Sequence, residues 1–157
     1  MKKFFLFPLM VLTTLIALPA CSDDDKETID PGKPETTVAT TYTGRLTVNG
    51  GAYIKEDADC EITFAENGDK LTLNINSVKF AEAMPVTINL SVPEIPCATE
   101  NGKTIFSGND IVPLMGVAPA EAYKFSAITG SIENATLDFS ATLSKGSFAF
   151  TGVEKQQ

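Results

Sequence analysis

The chain contains no histidine and no tryptophan. Without histidine there is no Ser-His-Asp or Cys-His nucleophile, no imidazole metal ligand and no histidine pH switch. Cysteine is scarce as well: the three present form no C-x-x-C pair, which excludes zinc-ribbon and thioredoxin-type sites. Basic residues are outnumbered, 12 Lys and Arg against 20 Asp and Glu, for a net charge of −8. Phosphate recognition needs a basic face, so nucleic acid is not the partner this composition suits. No segment carries a sustained 3.6-residue apolar period, so helices are not expected. What remains, in 157 residues, is an address, a tether and one domain of alternating strands.

The address comes first. Lys2 and Lys3 follow Met1, and no charge interrupts Phe4 to Ala20. A basic start followed by an apolar run is the pattern of a secretory signal, here residues 1–20. The run falls short of the roughly 20 residues a spanning helix needs. Pro8 and Pro19 also suit a cleaved segment better than a permanent helix. Leu18-Pro19-Ala20-Cys21 resembles a bacterial lipobox. That resemblance implies cleavage before Cys21 and a diacylglycerol on its thiol, with acyl chains anchoring the protein at about 0.8 kcal/mol per CH₂. The other reading is a secreted protein cut elsewhere, with Cys21 an ordinary thiol. Ser22, Asp23, Asp24 and Asp25, continued by Lys26 and Glu27, look like the serine-plus-acidic export signal of some lipoproteins. In gut Gram-negative anaerobes that signal leads to the outer face of the outer membrane. The plain alternative is a solvated linker.

Residues 21–41 read as the lipidated cysteine and its tether. Residues 22–41 hold no aromatic residue, and six acids against two lysines leave a net charge of −4. Such a stretch cannot bury a core, and it reaches about 25 Å as a flexible chain. From Cys21 onward all 20 acids remain against ten basic residues, a net charge of −10. That balance suits solubility and weakly disfavours anionic surfaces.

From Tyr42 the apolar period is two. Tyr42, Gly44, Leu46 and Val48 alternate with polar residues until Gly50-Gly51; Cys60, Ile62 and Phe64 then alternate with Asp59, Glu61 and Thr63. Asn67-Gly68 and Asn101-Gly102 are hairpin signals. Leu71, Leu73 and Ile75 share a face that shifts to Val78 and Phe80, which predicts a bulge near Asn76-Ser77. Met84, Val86, Ile88, Leu90 and Val92 form a further alternation. Ile105-Phe106 and Ile111-Val112 read as two short strands split by Gly108-Asn109, and residues 113–121 as a loop. Tyr123 to Ile132, Leu137 to Leu143 and Phe148 to Val153 complete the set. Eight to ten short strands with tight turns predict an all-β fold: a small closed antiparallel barrel, with a two-sheet sandwich as the second choice. The alternate face is too polar to meet lipid, so this is not a porin-like barrel.

The strand texture carries a resemblance. Tyr42-Thr-Gly-Arg-Leu-Thr-Val-Asn-Gly50, Gly68-Asp-Lys-Leu-Thr-Leu-Asn-Ile-Asn76 and Val78-Lys-Phe80 come first. Met84-Pro-Val-Thr-Ile-Asn-Leu90, Asn101-Gly, Phe106-Ser-Gly108, Gly130-Ser-Ile, Leu137-Asp-Phe and Phe148-Ala-Phe follow. In this order they resemble the calycin-like β-barrel domain of lipoproteins from gut Gram-negative anaerobes, over residues 42–153. The chain departs from that pattern at Ala81-Glu82-Ala83, where relatives carry a glycine, and in lacking their middle-loop tryptophan. The resemblance implies a lipocalin- or avidin-like barrel and brings no established activity or cofactor. Residues 154–157 read as a tail.

Candidate sites are few. With Cys21 lipidated, Cys60 and Cys97 are a candidate disulfide of an exported protein, contributing on the order of 3–4 kcal/mol. The alternative is two separate thiols acting as small hydrophobes. Glu56, Asp57, Asp59 and Glu61 cluster, but their spacing matches no EF-hand loop and strands splay carboxylates about 7 Å apart, so a solvated face is expected. Glu82, Glu94, Asp110, Glu121, Glu133 and Asp138 hold no spacing that defines an acid–base pair. Ser144-Lys145 is adjacent rather than spaced as nucleophile and base. No catalytic residue, metal or cofactor is expected. Phe64, Phe80, Phe106, Phe125, Phe139, Phe148 and Phe150 either line a greasy cavity or fill the core, and an eight-stranded barrel sits at the size where side chains alone fill it. Residues 113–121 are the one apolar stretch expected on the surface, as a plug or a contact.

The sequence therefore reads as an outer-membrane lipoprotein, surface-exposed and anchored through Cys21, whose barrel is a binding or interaction module. Its partners would be the membrane through the anchor, and either a small apolar ligand or an envelope or surface protein. The rivals are a periplasm-facing structural protein, a small-ligand carrier and an accessory hydrolase.

Overall fold

The structure, a computed structural model, describes residues 38–156. The signal at 1–20, Cys21 and the export run at Ser22–Asp25 lie outside the described residues. Ten strands follow one another: β1 (Thr40–Val48), β2 (Tyr53–Phe64), β3 (Lys70–Val78), β4 (Ile88–Glu100), β5 (Lys103–Ile111), β6 (Leu114–Met115), β7 (Ala118–Pro119), β8 (Phe125–Glu133), β9 (Thr136–Leu143) and β10 (Gly146–Glu154). All pairings are antiparallel. Eight of the strands close a barrel in the order β1-β2-β3-β4-β5-β8-β9-β10, with β10 returning to β1. The remaining two, β6 and β7, form a small hairpin that hangs on β4 through Ser91 opposite Leu114.

The alternation decides which face is inside. Tyr42, Leu46 and Val48 of β1, Cys60 and Ile62 of β2, and Leu71, Leu73, Ile75 and Val78 of β3 are buried, and their neighbours are not. The turns follow local chemistry. Asn101 and Gly102 both take positive φ, 51° and 79°, and join Glu100 directly to Lys103. That is the two-residue turn whose twist matches the flanking strands. At the other Asn-Gly, only Gly68 is left-handed, at φ 71°. The face shift near Asn76-Ser77 is a bulge: Ser77 has φ 55°, and the β3–β4 register slips between Ile75 and Val78.

Three expectations are corrected. Met84 and Val86 belong to no strand, although they alternate with polar residues. Val78 at the end of β3 already pairs with Ile88, so residues 84–87 have no neighbour to pair with. Ile105-Phe106 and Ile111 lie on one strand, because Gly108-Asn109 keeps its pairing to Ile128 and Ala127 of β8. The stretch 113–121 is not a plain loop, because it contains the β6–β7 hairpin.

The interior is filled by the inward face of the sheet all round the barrel. Inward-facing glycines leave space that phenylalanine rings on neighbouring positions occupy. A Cβ at Gly152 would lie 2.5 Å from Phe150 Cζ, and one at Gly130 would overlap the Phe106 ring and Phe139 Cβ. The Phe139 and Phe150 rings stack at 5.5 Å, and Phe125 meets Phe148 edge-on at 6.3 Å. One end of the barrel is closed by the longest connections. Phe80 from residues 79–87 stacks on Tyr123 from residues 112–124 at 5.2 Å and rests on Phe148 at the same distance. Asn49 fastens that closure: its Nδ2 donates to the Phe80 carbonyl at 3.1 Å, and its Oδ1 accepts from the Ser147 N–H at 2.8 Å.

Candidate functional site

The barrel has one interrupted neighbour pair. The Cys97 N–H donates to the Asp69 carbonyl, 2.8 Å, on the β3 side. Backbone groups alternate sides along a strand, so Pro96 and Ala98 aim theirs at β5. Ala98 stands opposite Ile105, and the same register carries Pro96 to a place opposite Ser107. That rung requires an N–H from residue 96 to the Ser107 carbonyl. Proline has none, so at the end of the ladder, which runs from Glu100–Lys103 to Cys97–Phe106, only the Ser107 N–H bonds, to the Pro96 carbonyl. The next strand partner on this edge of β4 is Leu114, opposite Ser91. Between the two rungs residues 92–96 face no strand over about 17 Å, at about 3.3 Å per residue. Glu94 of β4 has φ 54° and Asp110 of β5 has φ 58°. Beneath the opening the wall is closed, since Val92 and Ile95 are fully buried.

Beside the opening, over the paired rungs of the β4–β5 hairpin, lies a groove of about 710 Å³. Pro96, Ala98 and Ile105 form an apolar shelf, and Ile105 leaves 56% of its surface exposed. Glu100, Asn101, Lys103 and Glu133 form the polar rim. Lys103 Nζ is committed to Glu133 Oε2 at 3.0 Å, whereas Glu100 has no ion-pair partner among the described residues. Arrangement and chemistry fit contact with another molecule: a shelf to desolvate and one unmatched carboxylate.

The sequence-predicted residues are dispersed around this groove. Cys60 stands opposite Ile75 of β3, and Cys97 stands at Asp69, six positions away. Six positions span about 20 Å, and a disulfide holds its Cα atoms within about 7 Å. The bridge therefore does not form in this fold, and both thiols are free. Cys60 is buried, which pushes its thiol pKa far up, with Asp59 adding to the effect. Burial, then Asp69, also raises Cys97, whose Sγ donates to the Gly68 carbonyl at 3.4 Å. The acidic cluster is spread along β2. Glu56 pairs with Arg45 at 3.4 Å, and Asp59 accepts from Thr43 Oγ1 at 2.6 Å. Among the carboxylates, Glu94 faces Lys70 at 3.6 Å and Asp110 faces Lys124 at 2.8 Å. Of the six carboxylates considered for an acid–base pair only Glu133 lines the groove, and it is already paired; Glu82, Glu121 and Asp138 are exposed. Sequence reasoning missed Pro96, Ile105 and Ser107 as a unit. Counting outward from the Asn101-Gly102 turn would have placed Pro96 opposite Ser107.

Comparison with protein-family models, curated proteins and solved structures returns no match. The functional reading rests on the chain's own residues and on the barrel.

Proposed function

We propose that this chain is a lipid-anchored lipoprotein of the outer membrane, displayed at the cell surface, whose calycin-like barrel holds a partner on its outer face at the β4–β5 groove. The observation that carries the outer-face reading is the packing of the interior, where phenylalanine rings occupy the space left by inward glycines. Such a barrel leaves its outer walls and loops for recognition, which disfavours a carrier holding its ligand inside. The lipobox-like Leu18-Pro19-Ala20-Cys21 and the acidic run after it support anchoring and display.

Three experiments test this reading. Cells fed an alkyne fatty acid should label the wild-type chain and leave Cys21→Ser unlabelled. Protease added to intact cells should degrade the domain; survival of a domain that is cleavable once purified would place it on the periplasmic side. A photo-crosslinking residue at position 105 should capture a partner on cells, while one at position 145, in the β9–β10 turn, should not.

A further inference from the structure

We infer that the cleft between the outer face of β2, β3 and β4 and the β6–β7 hairpin binds a neutral, hydroxyl-rich ligand, a sugar ring. None of its lining residues belongs to the β4–β5 groove, so the inference goes beyond the partner reading above. The cleft holds about 360 Å³, and Glu61, Asn74, Asn76, Asn89, Ser91 and Leu114 line it. Small-ligand sites begin at about 300 Å³ and fix their ligand with a few placed polar groups.

Strand register builds the polar floor. Glu61 of β2 stands opposite Asn74 of β3, Asn74 opposite Ser91 of β4, and Ser91 opposite Leu114 of β6. Their sequence neighbours on the three barrel strands are buried inward, so alternation turns this row to the outside. Glu61, Asn74 and Ser91 are each one strand spacing apart, about 4.8 Å, which matches the spread of hydroxyls round a pyranose ring. Asn76 and Asn89 continue the array about 7 Å along the strands. The bulge fixes one of them: Ser77, at φ 55°, donates its N–H to Asn89 Oδ1 at 2.7 Å and leaves Nδ2 to donate to a ligand. β5 pairs with β4 only at Cys97–Glu100, so the hairpin takes the place beside Ser91. Its base is closed by the Ala120 N–H on the Pro113 carbonyl, 2.8 Å, and Leu114 supplies the apolar wall.

The donor set selects the ligand. Three amides and a hydroxyl each give and accept hydrogen bonds, as sugar hydroxyls do, and Leu114 suits the C–H face of the ring. Glu61 is the one charged residue lining the cleft, and it has no ion-pair partner among the described residues. Its carboxylate accepts from hydroxyls and repels an anionic ligand. One carboxylate is a poor match for calcium, which takes about six to eight oxygens and draws on several charged ones.

The test uses the full chain, ¹⁵N-labelled in phosphocholine detergent, and the methyl glycosides of glucose, galactose and mannose. At least one should give saturable shifts of the Asn74, Asn76 and Asn89 side-chain amides, with millimolar affinity. Asn74→Asp removes two donors and should weaken that binding at least tenfold, and Ser91→Ala should weaken it less. Both positions face outward, so the rest of the spectrum should stay in place. The 6-carboxylate counterpart of the binding sugar should bind at least tenfold more weakly than the sugar, and Glu61→Gln should narrow that gap. No saturable shift with any of the three, or shifts centred away from the cleft, would overturn the inference. Equal shifts from cyclohexanol, which lacks the ring of hydroxyls, would overturn it as well. The same shifts from calcium chloride alone would replace the sugar with a cation. Capture at position 105 on cells decides the β4–β5 reading separately.

Discussion

Two seams of the same barrel behave differently. Between β1 and β10 seven rungs run from Tyr42–Glu154 to Val48–Phe148, with Gly44 opposite Gly152. Between β4 and β5 only four rungs form. Hydrophobicity does not separate them, because both present buried residues inward: Leu46 and Phe150 at the first, Ile95 and Phe106 at the second. What separates them is backbone chemistry. The closed seam places the two smallest residues face to face and has an N–H wherever a rung needs one. The open seam places a proline at the one position where the ladder would continue. The left-handed Glu94 and Asp110 lie just beyond it, so backbone chemistry on both strands marks where this ladder ends.

That contrast can be broken from the closed side first. Phe150→Ala removes the ring that covers Gly152 and should cost about 3–5 kcal/mol in urea unfolding, the usual range for a buried phenylalanine. Gly44→Val should cost about 3 kcal/mol in the same measurement, because its Cβ would meet the Thr151 carbonyl, which is backbone and cannot turn away. The open side should respond in the opposite direction. Pro96→Thr supplies the absent N–H and should add about 1 kcal/mol, the net value of one hydrogen bond, with a slowly exchanging amide at position 96 itself. A smaller effect comes from pH. Burial raises the Cys60 thiol above its ordinary 9.0 in the folded barrel, so the folded state keeps a proton that the unfolded chain releases. Stability should therefore be constant below about pH 9 and fall above it, and Cys60→Ala should flatten that slope. The smallest change expected is Lys103→Ala. Its pair with Glu133 is exposed, and the loss should stay below about 1 kcal/mol.

Much of the closed seam was legible in the sequence. Tyr42, Gly44, Leu46 and Val48 announce their inward face through alternation, and the strand pattern with tight turns announces closure. Asn101-Gly102 states its own turn. The same signal misled at Met84 and Val86, because alternation records a preference and not the presence of a neighbour. The open seam was written less plainly. Pro96 is visible in the sequence, but its effect depends on standing opposite Ser107. The left-handed Glu94 and Asp110 were hidden for a related reason: neither residue type announces a positive φ, and the bulges are imposed by strands distant in the chain. Cys60 and Cys97 looked pairable because sequence shows neither the strand between them nor the six positions along it.

The closing seam also sets an order in time. Its partners are the first strand and the last, Tyr42 with Glu154 and Val48 with Phe148, and the Asn49–Ser147 hydrogen bond spans 98 positions. Hairpins such as β4–β5 form from neighbouring residues, but β1 meets its second neighbour only when the final strand is present. A chain delivered N-terminus first must hold β1 half-paired until residues 148–154 arrive, since contacts this distant in sequence are slow to close. Truncating β10 would leave two bare edges on an otherwise complete sheet, and closure is the step that removes them both.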